Sequence, residues 1–403
     1  MTRDEPGIDE IRASPARMLR TLTRAVTFGA RDRVFPRPVS GIDEVPSQPG
    51  LVTSEWLTSV LRDKMPADVA VESFTYTPVT SGTNVRGHMS VRYSSTEAGL
   101  PTSMFVKSTP TIVTRLANSV TMAEEAEFYN HFRPRLGQLE IPYGYHSAVD
   151  ARTFRSIHLI EDLVDTKGAT FPADPSIVFA REQAEDAVDL LADVHRTIAG
   201  LRTDALPTFS GFWRRALGIA DVAKAVRAFQ GDDFCSRGMT VVGDRLWQAC
   251  VKAIQIHDEL PATLLHNDPH RGNWYVTRDG RMGLLDWQTV CIGHWSRDLA
   301  YAIPTLLTVP QRRDWERDLV RRYHQRAGLS ESLDEAWLRY RQQLIGGLLF
   351  WAPTLRPPRG FPEMQPRVLA VELMTRISTA MVDHETVDAV LASSGRNSAT
   401  SPR

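Results

Sequence analysis

The 403 residues, 42% hydrophobic and 24% charged, exceed what one hydrophobic core of ~250–300 residues organises, so two domains or lobes are expected and wholesale disorder is excluded. Forty-seven Lys and Arg against 48 Asp and Glu leave a net charge of −1, which supplies no basic field for a nucleic-acid partner. The three cysteines, Cys235, Cys250 and Cys291, have no C-x-x-C spacing, which argues against a disulfide framework or a thiolate zinc site and for a reducing, cytoplasmic setting.

The opening MTRDEPGIDE predicts no secretory leader, and the longest apolar runs, interrupted by proline, predict no transmembrane helix. Residues 1–52 read as an arm. Met18, Leu22 and Val26 share a helical face with Ile11, and Arg12, Arg17, Arg20 and Arg24 fall among them. Such a helix docks on the body, although its basic, amphipathic character also permits peripheral contact with an anionic membrane. Thr53 or Ser54 caps the next helix and opens an N-terminal lobe over 53–163. Val69–Thr77, Gly87–Tyr93 and Ser103–Ser108 read as three antiparallel strands, Leu116–Phe132 as a helix and Ser156–Leu163 as a further strand. A larger, mainly helical lobe follows over 164–390, opening with a helix over Phe179–Leu201, and 391–403 reads as a frayed tail. Within it A-T-L-L-H and M-G-L-L-D read as a small hairpin-like insertion. Pro304, Pro310, Pro353 and Pro357–Pro358 read as breaks among the later helices.

The chemistry concentrates in LLHNDPHRGNWYVTRDGRMGLLDWQ, Leu264 to Gln288. Asp268 and Asn273 share a glycine-containing loop, and Asp286 ends the apolar run that follows. Hard oxygen ligands of this kind suit Mg²⁺ shared with substrate phosphates, and leave one acid free to act as a base. A metal site built on His266, His270 and Asp268 is the alternative, but no H-E-x-x-H helix supports it.

H-N-D-P-H-R-G-N-W resembles the H-G-D-x-H-x-G-N loop of the aminoglycoside phosphotransferase and choline kinase superfamily, and L-L-D-W-Q resembles its metal-binding strand end. The resemblance implies an α+β, two-lobed protein-kinase-like fold, with an antiparallel sheet plus helix in the N-lobe and a mainly helical C-lobe. It also implies an ATP- and Mg²⁺-dependent small-molecule kinase, with Asp268 as base and Asn273 and Asp286 on the metal. Lys107 in M-F-V-K-S would then hold the ATP phosphates and pair with Glu125, with Glu124 as the competing partner. Gly82, Thr83 and Asn84 would form the phosphate loop, Ile160 and Asp162 would lie at the adenine linker, and His266, His270 and Asp298 would support the loop. His195 reads as a structural helix histidine.

The patches E-W-L-T-S-V-L, G-L-P-T-S-M-F-V-K and I-E-D-L look most like the ecdysteroid kinase-like branch, which implies a hydroxyl acceptor on a lipophilic small molecule. Residues 311–403 carry more arginine than acid, which disfavours a polycationic acceptor, while Trp295, Trp315, Trp337 and Trp351 are candidates for apolar acceptor walls. An aminoglycoside or other antibiotic phosphotransferase and a nucleotide-binding pseudokinase are the alternatives. The second is disfavoured because Lys, Glu, Asp, Asn and Asp are all present.

Overall fold

The computed structural model describes residues 15–39, 41–81, 84–96, 98–200, 203–217, 221–240, 242–357 and 364–395. Five antiparallel strands form the N-lobe sheet, β1 (Val71–Ser81), β2 (Val85–Tyr93), β3 (Ser103–Ser108), β4 (Gly144–Asp150) and β5 (Arg155–Glu161), in the order β1-β2-β3-β5-β4. Alternation along β2 and β3 buries Met89, Val91, Met104 and Val106 on one face, where they meet Trp56, Leu57 and Leu61. The helix carrying Trp56 and Leu57, Ser54–Val60, ends at Leu61 and is capped by the Thr53 hydroxyl, which accepts from the Trp56 N–H at 3.1 Å.

The arm docks on this lobe through its first helix, Pro15–Val34. Its anchor is Asp32, a buried carboxylate that accepts from the guanidinium groups of Arg115 and Arg155. Ala25 packs with Met122 and Phe154. Among the described residues no helix is long and apolar enough to cross a membrane.

Where one helix was expected over Leu116–Phe132, two are found, Ile112–Asn118 and Met122–Glu127, the second running on as a π-turn to Phe132. Thr111 caps the first in a box with Thr114, so it starts earlier than apolar spacing alone predicts. The π-turn sets Phe128 flat against Trp287, with ring centroids 4.0 Å apart, and so packs the N-lobe helix on the strand end that carries Asp286.

The C-lobe is helical around one core, with Arg181–Thr197 laid along Val309–Ala327. The hairpin expected between A-T-L-L-H and M-G-L-L-D is corrected. β6 (Thr263–Leu265) pairs with β9 (Cys291–Gly293), and β7 (Trp274–Val276) pairs with β8 (Met282–Leu284). The polar loop between them thus leaves one small sheet and enters another. Two expected breaks also fail to break: Pro304 and Pro353 lie inside Ser296–Leu306 and Gly346–Thr354 near their C-terminal ends, while Pro310 sits in the first turn of its helix.

Candidate active site

Cross-strand register puts Arg86 of β2, Lys107 of β3 and His158 of β5 abreast. The Lys107 ammonium, 3% exposed as a residue, donates to Glu125 at 2.9 Å, to Asp286 at 2.7 Å and to Gln288 at 3.3 Å, which uses all three of its hydrogens. Glu124, the rival partner, points the other way and pairs with Arg215. His158 lies 3.7 Å from Glu125, and burial lowers its proton affinity. Asp286 sits in the left-handed region at φ 66°, which aims its carboxylate back at Lys107 and Arg86. Burial pushes that carboxyl up, but the neighbouring Lys107 and Arg86 charges outweigh it and hold the group well below its ordinary range.

The loop after β6 is fixed from beneath. The Asp298 carboxylate accepts the backbone N–H groups of His266 and Asn267, each at 2.7 Å, and faces His195 at 3.1 Å. His195 reaches on to the Tyr323 hydroxyl at 2.6 Å, so this helix histidine belongs to the support of the loop. Arg297 donates to the carbonyl and the side-chain oxygen of Asn267, which sits at φ 69°. His266 accepts from the Asp268 N–H through Nδ1 and donates from Nε2 to the Leu285 carbonyl at 2.9 Å, tying the loop to the end of β8. His270 accepts from the Gly272 N–H through Nδ1. Both imidazoles are thus committed to backbone, and no cluster of three or more His, Cys, Asp and Glu poised for a metal occurs among the described residues. The two-histidine metal site is not formed.

Asp268, Asn273 and Asp286 open on one cavity of ≈ 230 Å³, together with Arg86, His270, Gln288, Tyr301 and Trp351. Asn273 donates its amide N–H to the Asp268 carbonyl at 2.8 Å, leaving the amide oxygen available to a cation. With Asp286 this makes an all-oxygen donor pair, which fits Mg²⁺ completed by phosphate oxygens and water. Burial pushes the Asp268 carboxyl up to about 8, aided by the negative charges of Asp286 and Asp298 and opposed by Tyr301 and Arg297.

Of the other expected residues, Asn84 is buried, and its amide nitrogen donates to Asn118 at 3.3 Å and to Gln288 at 3.4 Å, bracing the hairpin end. Gly82 and Thr83 lie outside the described residues. Ile160 is buried in the ladder between β3 and β4. The Asp162 side chain is spent on structure: it caps Leu163–Lys167 and binds His88 at 2.6 Å and Ser103 at 2.7 Å. Of the four candidate wall tryptophans only Trp351 lines the cavity. Trp295 stacks on Tyr323, Trp337 stacks on Tyr340, and Trp315 lies under Arg181.

The sequence reading passed over Arg86, Gln288, Arg297 and Tyr301. Strand register opposite Lys107 marks Arg86, and spacing of three from Asp298 on one helix marks Tyr301.

A family described as phosphotransferase enzyme family matches residues 96–341. No curated protein matches the chain in sequence. Similar solved structures include an ethanolamine kinase of Plasmodium vivax, 11% identical, covering 89% of this chain and 94% of that one with a TM-score of 0.45. The choline kinase LicA of Streptococcus pneumoniae is 12% identical and covers 81% of this chain and 99% of its own, also at 0.45. A spectinomycin phosphotransferase in complex with ADP and spectinomycin is 12% identical, covering 84% and 100%, at 0.44.

Proposed function

The chain belongs to the phosphotransferase enzyme family and is a small-molecule phosphotransferase with an alcohol group as acceptor, and from that premise we propose that it moves the γ-phosphate of ATP, with Mg²⁺, to a hydroxyl of a lipophilic small molecule in the cytoplasm. The observation that carries this reading is the Lys107 ammonium bonded to both Glu125 and Asp286 at the edge of the cavity that Asp268 and Asn273 share.

Glu125 aims Lys107 into the cleft, where its charge holds the α- and β-phosphates of ATP. Asn273 and Asp286 would hold Mg²⁺, which when bound neutralises charge on the β- and γ-phosphate oxygens. Asp268 accepts a hydrogen bond from the acceptor hydroxyl and then its proton, as that oxygen bonds to the γ-phosphorus and the bond to the bridging oxygen breaks to leave ADP. Its carboxyl, raised to about 8, takes up the proton strongly once ionised, so transfer should increase as pH rises through that value. Asp298, His195 and Arg297 act only by fixing the loop backbone, and most of the acceleration comes from such positioning. The lipophilic character of the acceptor rests on the sequence patches. Three free, buried cysteines are in keeping with a reducing cytoplasm.

The test is ADP release from Mg·ATP with a panel of sterols, lipophilic alcohols, choline and aminoglycosides, beside Asp268→Asn. Transfer should fall by about 10²–10⁴-fold in the variant while ATP binding persists. Undiminished transfer refutes Asp268 as the base.

A further inference from the structure

A carboxylate base works only when its oxygens are aimed, and a third group commonly does the aiming. The backbone of Asp268 is held on both sides: its N–H donates to His266, and its carbonyl accepts from Asn273 at 2.8 Å. Neither bond touches the carboxylate. His270 lies 3.8 Å from Asp268 Oδ2, beyond a hydrogen bond, and Arg297 commits its donors to Asn267.

The side chain that does reach the carboxylate is Tyr301, whose hydroxyl donates to it. Among the described residues no other side chain hydrogen-bonds these oxygens. Tyr301 is 1% exposed and lines the same cavity as Asp268, so little water competes for the bond.

Two neighbours strengthen the donor. The Trp351 indole N–H donates to the Tyr301 oxygen, and a hydroxyl that accepts while it donates is the better donor. The Arg297 guanidinium carbon lies 4.5 Å from the centre of the Tyr301 ring, where its charge draws electron density from the phenol. The rings of His270 and Trp351 meet nearly perpendicular, 5.0 Å between centroids, and this contact fixes the indole. Tyr301 also stands one turn beyond Asp298 on the helix Ser296–Leu306. One rigid element thus holds the loop backbone through Asp298 and the base side chain through Tyr301.

We propose that Tyr301 is a positioning residue, which holds one oxygen of the Asp268 carboxylate and turns the other toward the acceptor hydroxyl, with Trp351 acting through it. The acceptor proton passes to the free oxygen, and Tyr301 keeps its own. This deepens the phosphotransferase reading above and rests on it.

Two measurements on the full chain test this. In urea unfolding without ligand, the cycle of Tyr301→Phe, Asp268→Ala and the double variant should be non-additive by about 3–30-fold in the unfolding constant, because only the wild type holds both ends of the bond. In transfer from Mg·ATP to the panel of sterols, lipophilic alcohols, choline and aminoglycosides, Tyr301→Phe should lower kcat by ~10–100-fold, the worth of a hydrogen bond to a charged group. The KM values for ATP and acceptor should stay within ~2-fold of wild type. Trp351→Phe should lower kcat by ~2–5-fold and add nothing further in a Tyr301→Phe background. Additive unfolding, a loss confined to KM, a Tyr301→Phe kcat within ~2-fold of wild type, or additive effects of the two aromatic substitutions each overturn the proposal. Where wild type releases no ADP from Mg·ATP with or without the panel, non-additive unfolding sustains the placement of Tyr301 on Asp268 and sinks the phosphotransferase reading instead.

Discussion

Replacing Lys107 by Met should cost stability and phosphate transfer by routes that can be separated. The ammonium is the counter-charge to two carboxylates, Glu125 at 2.9 Å and Asp286 at 2.7 Å, all three side chains being largely buried. Without it Asp286 keeps Arg86 at 3.4 Å, a half-exposed and weak partner. Glu125 keeps only His158 at 3.7 Å, whose ring burial disfavours in the charged form. Glu125 is thus the orphaned buried charge, and breaking a buried pair from one side costs about 3–5 kcal/mol. Adding Glu125→Gln removes the orphan, so the double variant should regain ~1–3 kcal/mol as a positive coupling. Transfer should remain down by about 10²–10³-fold in both, because neither carries the phosphate-binding charge. Urea unfolding at constant slope measures the first effect and ADP release the second. A loss under ~1 kcal/mol for Lys107→Met would refute the electrostatic reasoning, and so would strictly additive costs in the double variant.

Asp298→Asn places an amide against two backbone N–H donors; we expect a loss of about 3–5 kcal/mol and a collapse of kcat beyond what reduced folding explains, read by unfolding and single-turnover assays. Asp32→Ala leaves Arg115 wholly buried without its carboxylate and should cost a similar ~3–5 kcal/mol. Burial pushes the Asp32 carboxyl up, but hydrogen bonds from Arg155 and Arg115 and their charges outweigh it, so it is held below its ordinary value. Its contribution is therefore complete above that value and lost as pH falls through the depressed one, and wild type and variant should converge in acid unfolding. Arg86→Gln should raise the KM for ATP by about 3–10-fold and leave folding nearly intact, since the side chain is half-exposed.

That Asp268, Asn273 and Asp286 share one cavity was legible because their grouping is local. All three fall within one run of sequence, and their spacing survives whatever the strands around them do. Lys107 and Glu125 were legible through flanking pattern, although the choice between Glu124 and Glu125 needed helix phase, which the π-turn over Phe128–Phe132 alters. What escaped was long-range. β6 pairs with β9, not with the apolar run nearer to it in sequence, because three-residue strands carry too little pattern to declare a partner. The roles of Arg86 and Arg297 depend on register and on helix packing that no spacing encodes. The structural role of the Asp162 side chain, which caps a helix of five residues, likewise escaped the sequence.

Two carboxylates of this cleft are pushed in opposite directions by their surroundings, and the contrast supports their separate roles. Asp286 is as deeply set as Asp268, yet Lys107 and Arg86 lie against it and hold it ionised. Asp268 receives burial without a close ammonium: the charge of Arg297 reaches it only in part, because that guanidinium is spent on Asn267 and on the ring faces of Tyr301 and Phe350. A carboxylate held low is a permanent anion, suited to a cation and useless for collecting a proton. One raised to about 8 holds a proton tightly, and its ionised fraction is the form that can act as a base. Had Arg297 donated to Asp268 directly, that proton affinity would fall and the acceptor hydroxyl would lose its base. The commitment of Arg297 to loop and rings therefore preserves the high proton affinity of Asp268.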